Sequence, residues 1–121
     1  MSETRYFQIR QQNEVTIAQL VDPNRFDRLL FNEIGDELIA YVDENNTRSL
    51  LINFENVTYC SSEVLGSLVR THSHIAASGG VMNLCCMKDD IHELFRITHL
   101  ENNVFKIFES EEEAVASFVS N

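Results

Sequence analysis

Three side chains that could act as nucleophiles, Cys60, Ser61 and Ser62, are consecutive in this chain. They lie within NFENVTYCSSEVLGSLVRTH, residues 53–72, which passes from an apolar, strand-like run into an amphipathic helical pattern. At such a junction, free backbone N–H groups and the helix dipole favour negative charge. A hydroxyl placed there can cap the helix, attack a substrate or accept a phosphoryl group.

The residues around this turn do not support catalysis. A cysteine phosphatase needs an arginine six positions after its cysteine, and residue 66 is glycine. The serine-hydrolase pattern G-x-S-x-G is absent, because Tyr59 and Cys60 occupy the positions of its first glycine. Neither G-x-G-x-x-G nor G-x-x-x-x-G-K-[ST] occurs. We therefore expect a protein that is not an enzyme and that holds no cofactor.

The four histidines do not have the spacing of a metal site. His72 and His74 are two residues apart on a predicted helix and point to nearly opposite sides, and His92 and His99 lack the i, i+4 relation. We expect no metal ion. His72, on the apolar side of its helix, is predicted to be a packed or interfacial histidine.

The cysteine count predicts reduced thiols. There are three, Cys60, Cys85 and Cys86, with no C-x-x-C pattern. Cys85 and Cys86 are adjacent in a strand-like segment, so their side chains are expected on opposite faces, where they cannot pair. All three are interpreted as small packed residues, in the core or at an interface.

The two serines are predicted to have different roles. Serine is among the best N-cap residues, and the cap contributes about 1 kcal/mol. We expect Ser62 to turn toward the helix start and cap it, which leaves Ser61 as an exposed, spare hydroxyl. Phosphorylation of that hydroxyl would add about −1.5 to −2 charges at the edge of a surface helix.

The first part of the chain predicts a β-hairpin and then a helix. Two alternating runs, residues 5–11 and 14–21, are separated by a polar turn. Asp22-Pro23-Asn24 breaks the second strand. A helix that ends near Asp43–Asn46 is predicted from apolar residues at three- and four-residue spacing: Phe26, Leu29, Leu30, Ile34, Leu38 and Tyr41.

Strands and helices then alternate to the end of the chain. Strands are predicted at 48–54, 80–86 and 104–108, and helices at 62–78, 89–100 and 110–120. Because a helix separates each pair of these strands and can cross over, the strands should run parallel, which predicts an α/β fold.

Three details of the helices are also predicted. The apolar face of the 62–78 helix comprises Leu65, Leu68, Val69, His72, Ile75 and Ala76, and Gly79-Gly80 ends this helix. Ser110 and Glu113 form a capping box for the last helix. Glu111–Glu113 are interpreted as its solvated first turn.

Size and charge restrict the class of protein. A chain of 121 residues fits one domain, residues 1–121. Its net charge is −10 and its basic residues are scattered from Arg5 to Lys106, which argues against nucleic acid and anionic membranes as partners. No apolar run approaches the ~20 residues that span a bilayer, and MSETRYFQIR lacks a signal core. We expect no membrane insertion and a cytoplasmic location.

The chain resembles the STAS domain, the fold of bacterial anti-sigma factor antagonists, over roughly residues 15–119. The resemblance rests on LLINFENVTYCSSEVLGSLVRTHSHIAASGGVMNLCCM, which is similar to the family's strand, Asp-Ser-Ser turn, helix, Gly-Gly and next strand. IHELFRITHLENNVFKIFESEEEAVASF is similar to the family's tail. It implies a mixed sheet of about five strands that begins with an antiparallel hairpin, and four helices packed mainly on one face.

The resemblance also implies a function. Such a module binds an anti-sigma factor that is also a serine kinase, and thereby regulates sigma-factor-dependent transcription. The phosphoacceptor maps onto Ser61, with Ser62 as the second candidate, and the partner-binding turn maps onto Cys60, Ser61, Ser62 and Glu63. Cys60 takes the place of the family's Asp, and Glu63 that of its Gly. The alternative is a STAS-type module without a working phospho-switch, which holds a small ligand, self-associates or assembles with other STAS proteins.

Overall fold

The computed structural model describes residues 2–3, 6–20 and 31–119. Its strands are β1 (Ser2–Glu3), β2 (Phe7–Gln12), β3 (Val15–Leu20), β4 (Ser49–Asn53), β5 (Val81–Cys85) and β6 (Ile107–Phe108). Its helices are α1 (Phe31–Asn45), α2 (Ser62–Ala77), α3 (Asp89–Ile97) and α4 (Glu111–Val119). The predicted strand break at Asp22-Pro23-Asn24, and Phe26, Leu29 and Leu30 of the first predicted helix, lie outside the described residues.

The strands form one mixed sheet in chain order. β1, β2 and β3 pair antiparallel, and β3 to β6 pair parallel. The opening hairpin and the parallel strands after it are thus confirmed. The hairpin turns at Asn13 and Glu14, whose φ angles of 51° and 68° are both positive, as a two-residue type I′ turn requires. No sequence pattern predicts β1, because two residues are too few to show alternation.

The last strand is shorter than predicted. β6 covers only Ile107–Phe108 of the expected 104–108. The preceding residues turn instead: the Asn102 N–H donates to the Phe105 carbonyl at 2.7 Å, and the Phe105 N–H donates to the Leu100 carbonyl at 3.0 Å. Asn102 has a φ of 67°, which an extended strand does not allow.

Both faces of the sheet are covered. α1, α2 and α3 contribute to the larger core together with Leu50 and Ile52 of β4. Leu51, between them, points to the other face and packs in a smaller core with Ala114 and Val115 of α4. The prediction that the helices lie mainly on one face is confirmed, with α4 as the helix on the opposite face. Burial on both faces explains why the β4 sequence is apolar without alternation.

α2 is held close to α1 by small residues. A Cβ added to Gly35 of α1 would lie 2.1 Å from Ser67 Oγ of α2, so the two helices approach closely at this point. The buried stripe is therefore turned toward α1 and comprises Val64, Leu65, Ser67, Leu68, Thr71 and Ile75. The predicted apolar face is only partly right: Leu65, Leu68 and Ile75 are buried, Val69 and His72 are half-buried, and Ala76 is exposed.

The predicted end of α2 is confirmed. Gly79 has a φ of 86°, and the Gly80 N–H donates to the Ile75 carbonyl at 2.9 Å. A Cβ on Gly80 would lie 2.7 Å from the Arg48 carbonyl oxygen and 2.7 Å from Ile75 Cγ1. Only glycine fits this contact between the end of α2 and the start of β4, which fixes the axis of α2 relative to the sheet.

Candidate functional site

The loop between β4 and α2, residues 54–61, carries the candidate site and is anchored at its start. The Phe54 N–H donates to the Cys85 carbonyl of β5 at 2.9 Å, and the Val57 N–H donates to the Phe54 carbonyl at 2.9 Å. Val57 is buried. Lys88 Nζ donates to the Glu55 carbonyl at 3.0 Å. The loop thus leaves the sheet in a defined direction and delivers residues 60–63 to the start of α2.

Ser61, not Ser62, is the N-cap of α2. Its backbone is extended, with φ −89° and ψ 166°, and its carbonyl accepts the Val64 N–H at 3.1 Å. Its side chain makes no capping hydrogen bond, and Ser61 Oγ is buried without a partner among the described residues. Ser62 is the first helical residue and is exposed. The predicted roles of exposed Ser61 and capping Ser62 are therefore wrong, because the helix begins one residue later than that assignment assumed.

Cys60 is a packed residue, as predicted. It lies half-buried against the larger core. Burial raises the pKa of the Cys60 thiol to about 12, since the thiolate would lose its hydration. A thiol that stays protonated at neutral pH is a poor nucleophile. Cys60 therefore supports the turn from below rather than reacting.

The surface around the turn is partly apolar. Tyr59 is 56% exposed, and Ser62 and Glu63 are also exposed. We call Tyr59, Ser62 and Glu63, with Ser61 beneath them, the α2 N-terminal surface. Sequence reasoning did not single out Tyr59. Its position immediately before Cys60 was the available signal, since tyrosine is enriched where proteins bind one another.

A polar network, also missed from the sequence, fixes the first residues of the loop. Asn53, at the end of β4, is 2% exposed. Its Nδ2 donates to Glu111 Oε2 at 2.7 Å, and its Oδ1 accepts the Glu55 N–H at 2.7 Å. Arg10 of β2 pairs with the same Glu111 oxygen at 2.5 Å. The signal in the sequence was an asparagine at the end of an otherwise apolar strand.

The interpretation of Glu111 as simply solvated is therefore wrong. Its side chain reaches back to Arg10 and Asn53 while Glu112 and Glu113 remain exposed. The Arg10 guanidinium, helped by Asn53 and opposed by burial, lowers the pKa of the Glu111 carboxyl. The predicted capping residue Ser110 does cap α4, because its Oγ accepts the Glu113 N–H at 3.1 Å.

The histidines lie in separate environments. His72 packs edge-to-face on Phe105 with ring centroids 5.4 Å apart, which confirms the packed histidine, and burial lowers its pKa. His74 pairs with Asp43 at 2.7 Å, and His92 with Glu101 at 2.8 Å. Within residues 2–3, 6–20 and 31–119, no three His, Cys, Asp or Glu side chains are grouped to hold a metal ion.

Cys85 and Cys86 do not lie on opposite faces. All three cysteines are free thiols, as expected. However, Cys86 has a φ of 67°, so the strand has already ended and the side chain turns back. Both thiols pack in the α4 core, and the Cys86 thiol donates to Cys85 Sγ at 3.0 Å. The expected separation assumed that the strand continues through Cys86.

The fold matches solved structures of low sequence identity. A STAS domain protein of Planctomyces limnophilus, described as an anti-sigma-factor antagonist, superposes with a TM-score of 0.82 at 22% identity, covering 94% of this chain and 98% of that one. The Bacillus cell fate determinant SpoIIAA, in its phosphorylated form, gives 0.67 at 17% identity, covering 93% and 98%.

A domain of a membrane transporter has the same fold. The murine anion transporter Slc26a9 gives a TM-score of 0.74 at 16% identity, and the match covers 93% of this chain but 19% of the transporter. In the described part of the present chain, every helix is too short or too polar to cross a bilayer.

The sequence itself matches a family profile over most of its length. The profile of the STAS domain aligns with residues 6–114, from the start of the hairpin into α4. The element order, the mixed sheet and the α2 N-terminus agree with the resemblance drawn from the sequence. The chain therefore belongs to the STAS domain family.

Proposed function

We propose that this protein is an anti-sigma factor antagonist that binds an anti-sigma factor serine kinase and so regulates sigma-factor-dependent transcription. The partner contacts the α2 N-terminal surface, with Cys60, Ser61, Ser62 and Glu63 forming the turn at its centre. Phosphorylation of Ser61 releases the partner. The observation that carries the proposal is a serine hydroxyl at the N-cap of α2 that makes no hydrogen bond within the described residues.

The free hydroxyl can become accessible without loss of a bond. Ser61 Oγ is buried in the present rotamer, but rotation about a single side-chain bond turns it outward and breaks no hydrogen bond. Most helical serines at an N-cap are tied to the backbone of the first turn and would lose that bond. The absence of a capping bond therefore favours Ser61 as the phosphoacceptor.

The helix start can also accept the product. The first N–H groups of a helix have no intrahelical acceptor, and together with the helix dipole they stabilise an anion. A phosphate on Ser61 would lie beside the N–H groups of Ser62 and Glu63, the first two helical residues. The modified protein should therefore stay folded, which a reversible switch requires.

Partner release follows from the local charge. Glu63 is exposed next to the turn, and phosphate adds about −1.5 to −2 charges to a protein of net charge −10. An interface formed by Tyr59, Ser62 and Glu63 would have to accommodate that charge at its centre. Like charges brought together there oppose binding. The phosphorylated form of SpoIIAA, a protein of the same fold, supports the chemistry but not the identity of the site.

A second candidate function has its own supporting observation. In the present rotamer Ser61 Oγ is buried, and Glu63 already places a carboxylate beside it. Both features suit a STAS module without a working phospho-switch, one that holds a small ligand or assembles with itself or other STAS proteins. In that case the same surface binds its partner permanently.

Two measurements distinguish these functions. Mass spectrometry of the protein purified from its own cells should find phosphate on Ser61, with Ser62 as the second position to inspect. Calorimetric titration with a kinase-type anti-sigma factor from the same cells should show binding by the parent and Ser61→Ala, and weaker binding by Ser61→Asp.

Ser73→Asp is the matched control, since Ser73 is exposed on α2 away from its N-terminus. It adds the same charge to the same helix and should bind like the parent. Equal binding by Ser61→Asp and the parent, without phosphate on either serine, would overturn the switch and leave the permanently binding module. Failure of every variant to bind would overturn the proposed partner.

A further inference from the structure

We propose that Cys85 and Cys86 form a redox-modification site, in which a small neutral peroxide converts the adjacent thiols into a disulfide and thereby loosens the start of the β4–α2 loop. The two sulfur atoms are 3.0 Å apart in the free thiols. Their approach is produced by the positive φ of Cys86, which turns its side chain back over Cys85. This inference does not depend on the proposed partner or on Ser61.

The two thiols differ in access. Cys85 is 0% exposed, whereas Cys86 is half-buried and lines an open depression with Glu55, Met87 and Glu109. An oxidant in solution can therefore reach Cys86 first. The acidic walls disfavour an anionic oxidant such as oxidised glutathione, and they do not repel hydrogen peroxide, which is uncharged.

The chemistry of the pair suits a stepwise oxidation. When Cys86 ionises, the Cys85 thiol donates to the thiolate, which lowers the pKa of Cys86 against the opposing effects of burial and of nearby Glu111 and Glu55. The Cys86 thiolate attacks peroxide, the O–O bond breaks, and a sulfenic acid forms with loss of water after proton uptake. The Cys85 sulfur then attacks the Cys86 sulfur and expels the second water. Overall, two thiols and one hydrogen peroxide give one disulfide and two waters.

The resulting disulfide would be strained. Consecutive Cα atoms are about 3.8 Å apart, below the usual lower limit of about 4.4 Å for disulfide-linked residues. Strained disulfides are reduced more easily than structural ones. A bond between Cys85 and Cys86 should therefore form under oxidant and be lost when a thiol reductant returns, as a reversible modification requires.

The peptide unit between the two cysteines is the link to the loop. Its carbonyl, that of Cys85, accepts the Phe54 N–H at 2.9 Å, and its N–H, that of Cys86, donates to the Phe108 carbonyl at 3.1 Å. Closing the disulfide must bring the sulfurs from 3.0 Å to about 2.05 Å, which requires this peptide unit to move. Both hydrogen bonds are then disturbed, and one of them holds the first residue of the loop that leads to Ser61.

Peptide mapping of the oxidised full-length protein tests the site. After hydrogen peroxide treatment, the peptide that contains both cysteines should lose two hydrogen atoms in mass, while Cys60 remains a thiol. Cys60→Ser should oxidise like the parent, and Cys86→Ser should not form the disulfide. Oxidation by equimolar oxidised glutathione should be roughly tenfold slower or more. Sulfinic acid on Cys86 alone, or disulfides between chains, would overturn the proposal.

Reversal and coupling are measured on the same sample. Added glutathione should restore both thiols, and the Phe54 amide should exchange with solvent faster in the oxidised protein than in the reduced one. Persistence of the disulfide would contradict a reversible modification, and unchanged exchange at Phe54 would contradict the link to the loop. Because Cys86 is half-buried, Cys86→Ser is expected to fold, and its thermal midpoint verifies this.

Discussion

Replacement of Ser61 by alanine is expected to leave the free energy of unfolding unchanged or to raise it by up to about 1 kcal/mol. Loss of a serine N-cap ordinarily destabilises a protein by about 0.5–2 kcal/mol because a hydrogen bond to the first turn is lost. Ser61 Oγ makes no such bond, and as a buried group without a partner it carries a desolvation penalty of about 1–3 kcal/mol. Alanine removes the penalty and loses no bond.

The same protein contains the control. Ser110 Oγ accepts the Glu113 N–H at 3.1 Å, so Ser110→Ala should lower the free energy of unfolding by about 0.5–2 kcal/mol. Urea denaturation of the two variants should therefore separate them by roughly 1–3 kcal/mol, which corresponds to several degrees in thermal midpoint. If Ser61→Ala loses as much stability as Ser110→Ala, the Ser61 hydroxyl caps α2 and its assignment as a free hydroxyl is wrong. Ser62→Ala, at an exposed position, should change stability by less than about 0.5 kcal/mol.

The remaining predictions concern packing, pH and reactivity. Gly80→Ala should destabilise by about 1–3 kcal/mol, because its Cβ would lie 2.7 Å from a backbone carbonyl oxygen, whereas Gly66→Ala, with nothing within 4 Å, should stabilise by about 0.5–1 kcal/mol; thermal midpoints compare them. Arg10 lowers the pKa of Glu111, so the stability that this carboxylate contributes is present near neutral pH and lost as pH falls through its lowered pKa; urea midpoints of Glu111→Gln and the parent should accordingly converge in acid. Because burial raises the pKa of Cys60 to about 12, iodoacetamide at mildly alkaline pH should alkylate Cys60 at least roughly tenfold more slowly in the native than in the urea-unfolded protein, as read by peptide mapping; equal rates would contradict the packed thiol.

The sheet could be predicted because chain connectivity constrains it strongly. A polar turn of a few residues can join only antiparallel neighbours, and a helix between two strands permits a parallel pair. These rules use only the distances along the chain between 5–21, 48–54 and 80–86. They required no knowledge of side-chain contacts, and they placed residues 60–63 correctly at a strand-to-helix junction.

The details of the site depended on contacts that the local sequence does not contain. Arg10 and Glu111 are 101 residues apart in the chain, so no pattern around Glu111 indicates their pairing. The positive φ of Cys86 violates the two-residue period on which the opposite-face prediction rested. The roles of Ser61 and Ser62 were exchanged because helix starts are uncertain by a residue or two, and one residue decides which hydroxyl is at the cap.

The ends of the sheet have a consequence for how copies of the protein could meet. Both outer strands, β1 and β6, are two residues long. A second chain that tried to extend the sheet by adding its own strand would find few backbone groups to pair with on either side, and a long unpaired edge is what templates such growth. The fold thus resists open-ended β-stacking at high concentration. Any assembly with another STAS domain would have to use side chains on the helices and loops, where single substitutions can tune it.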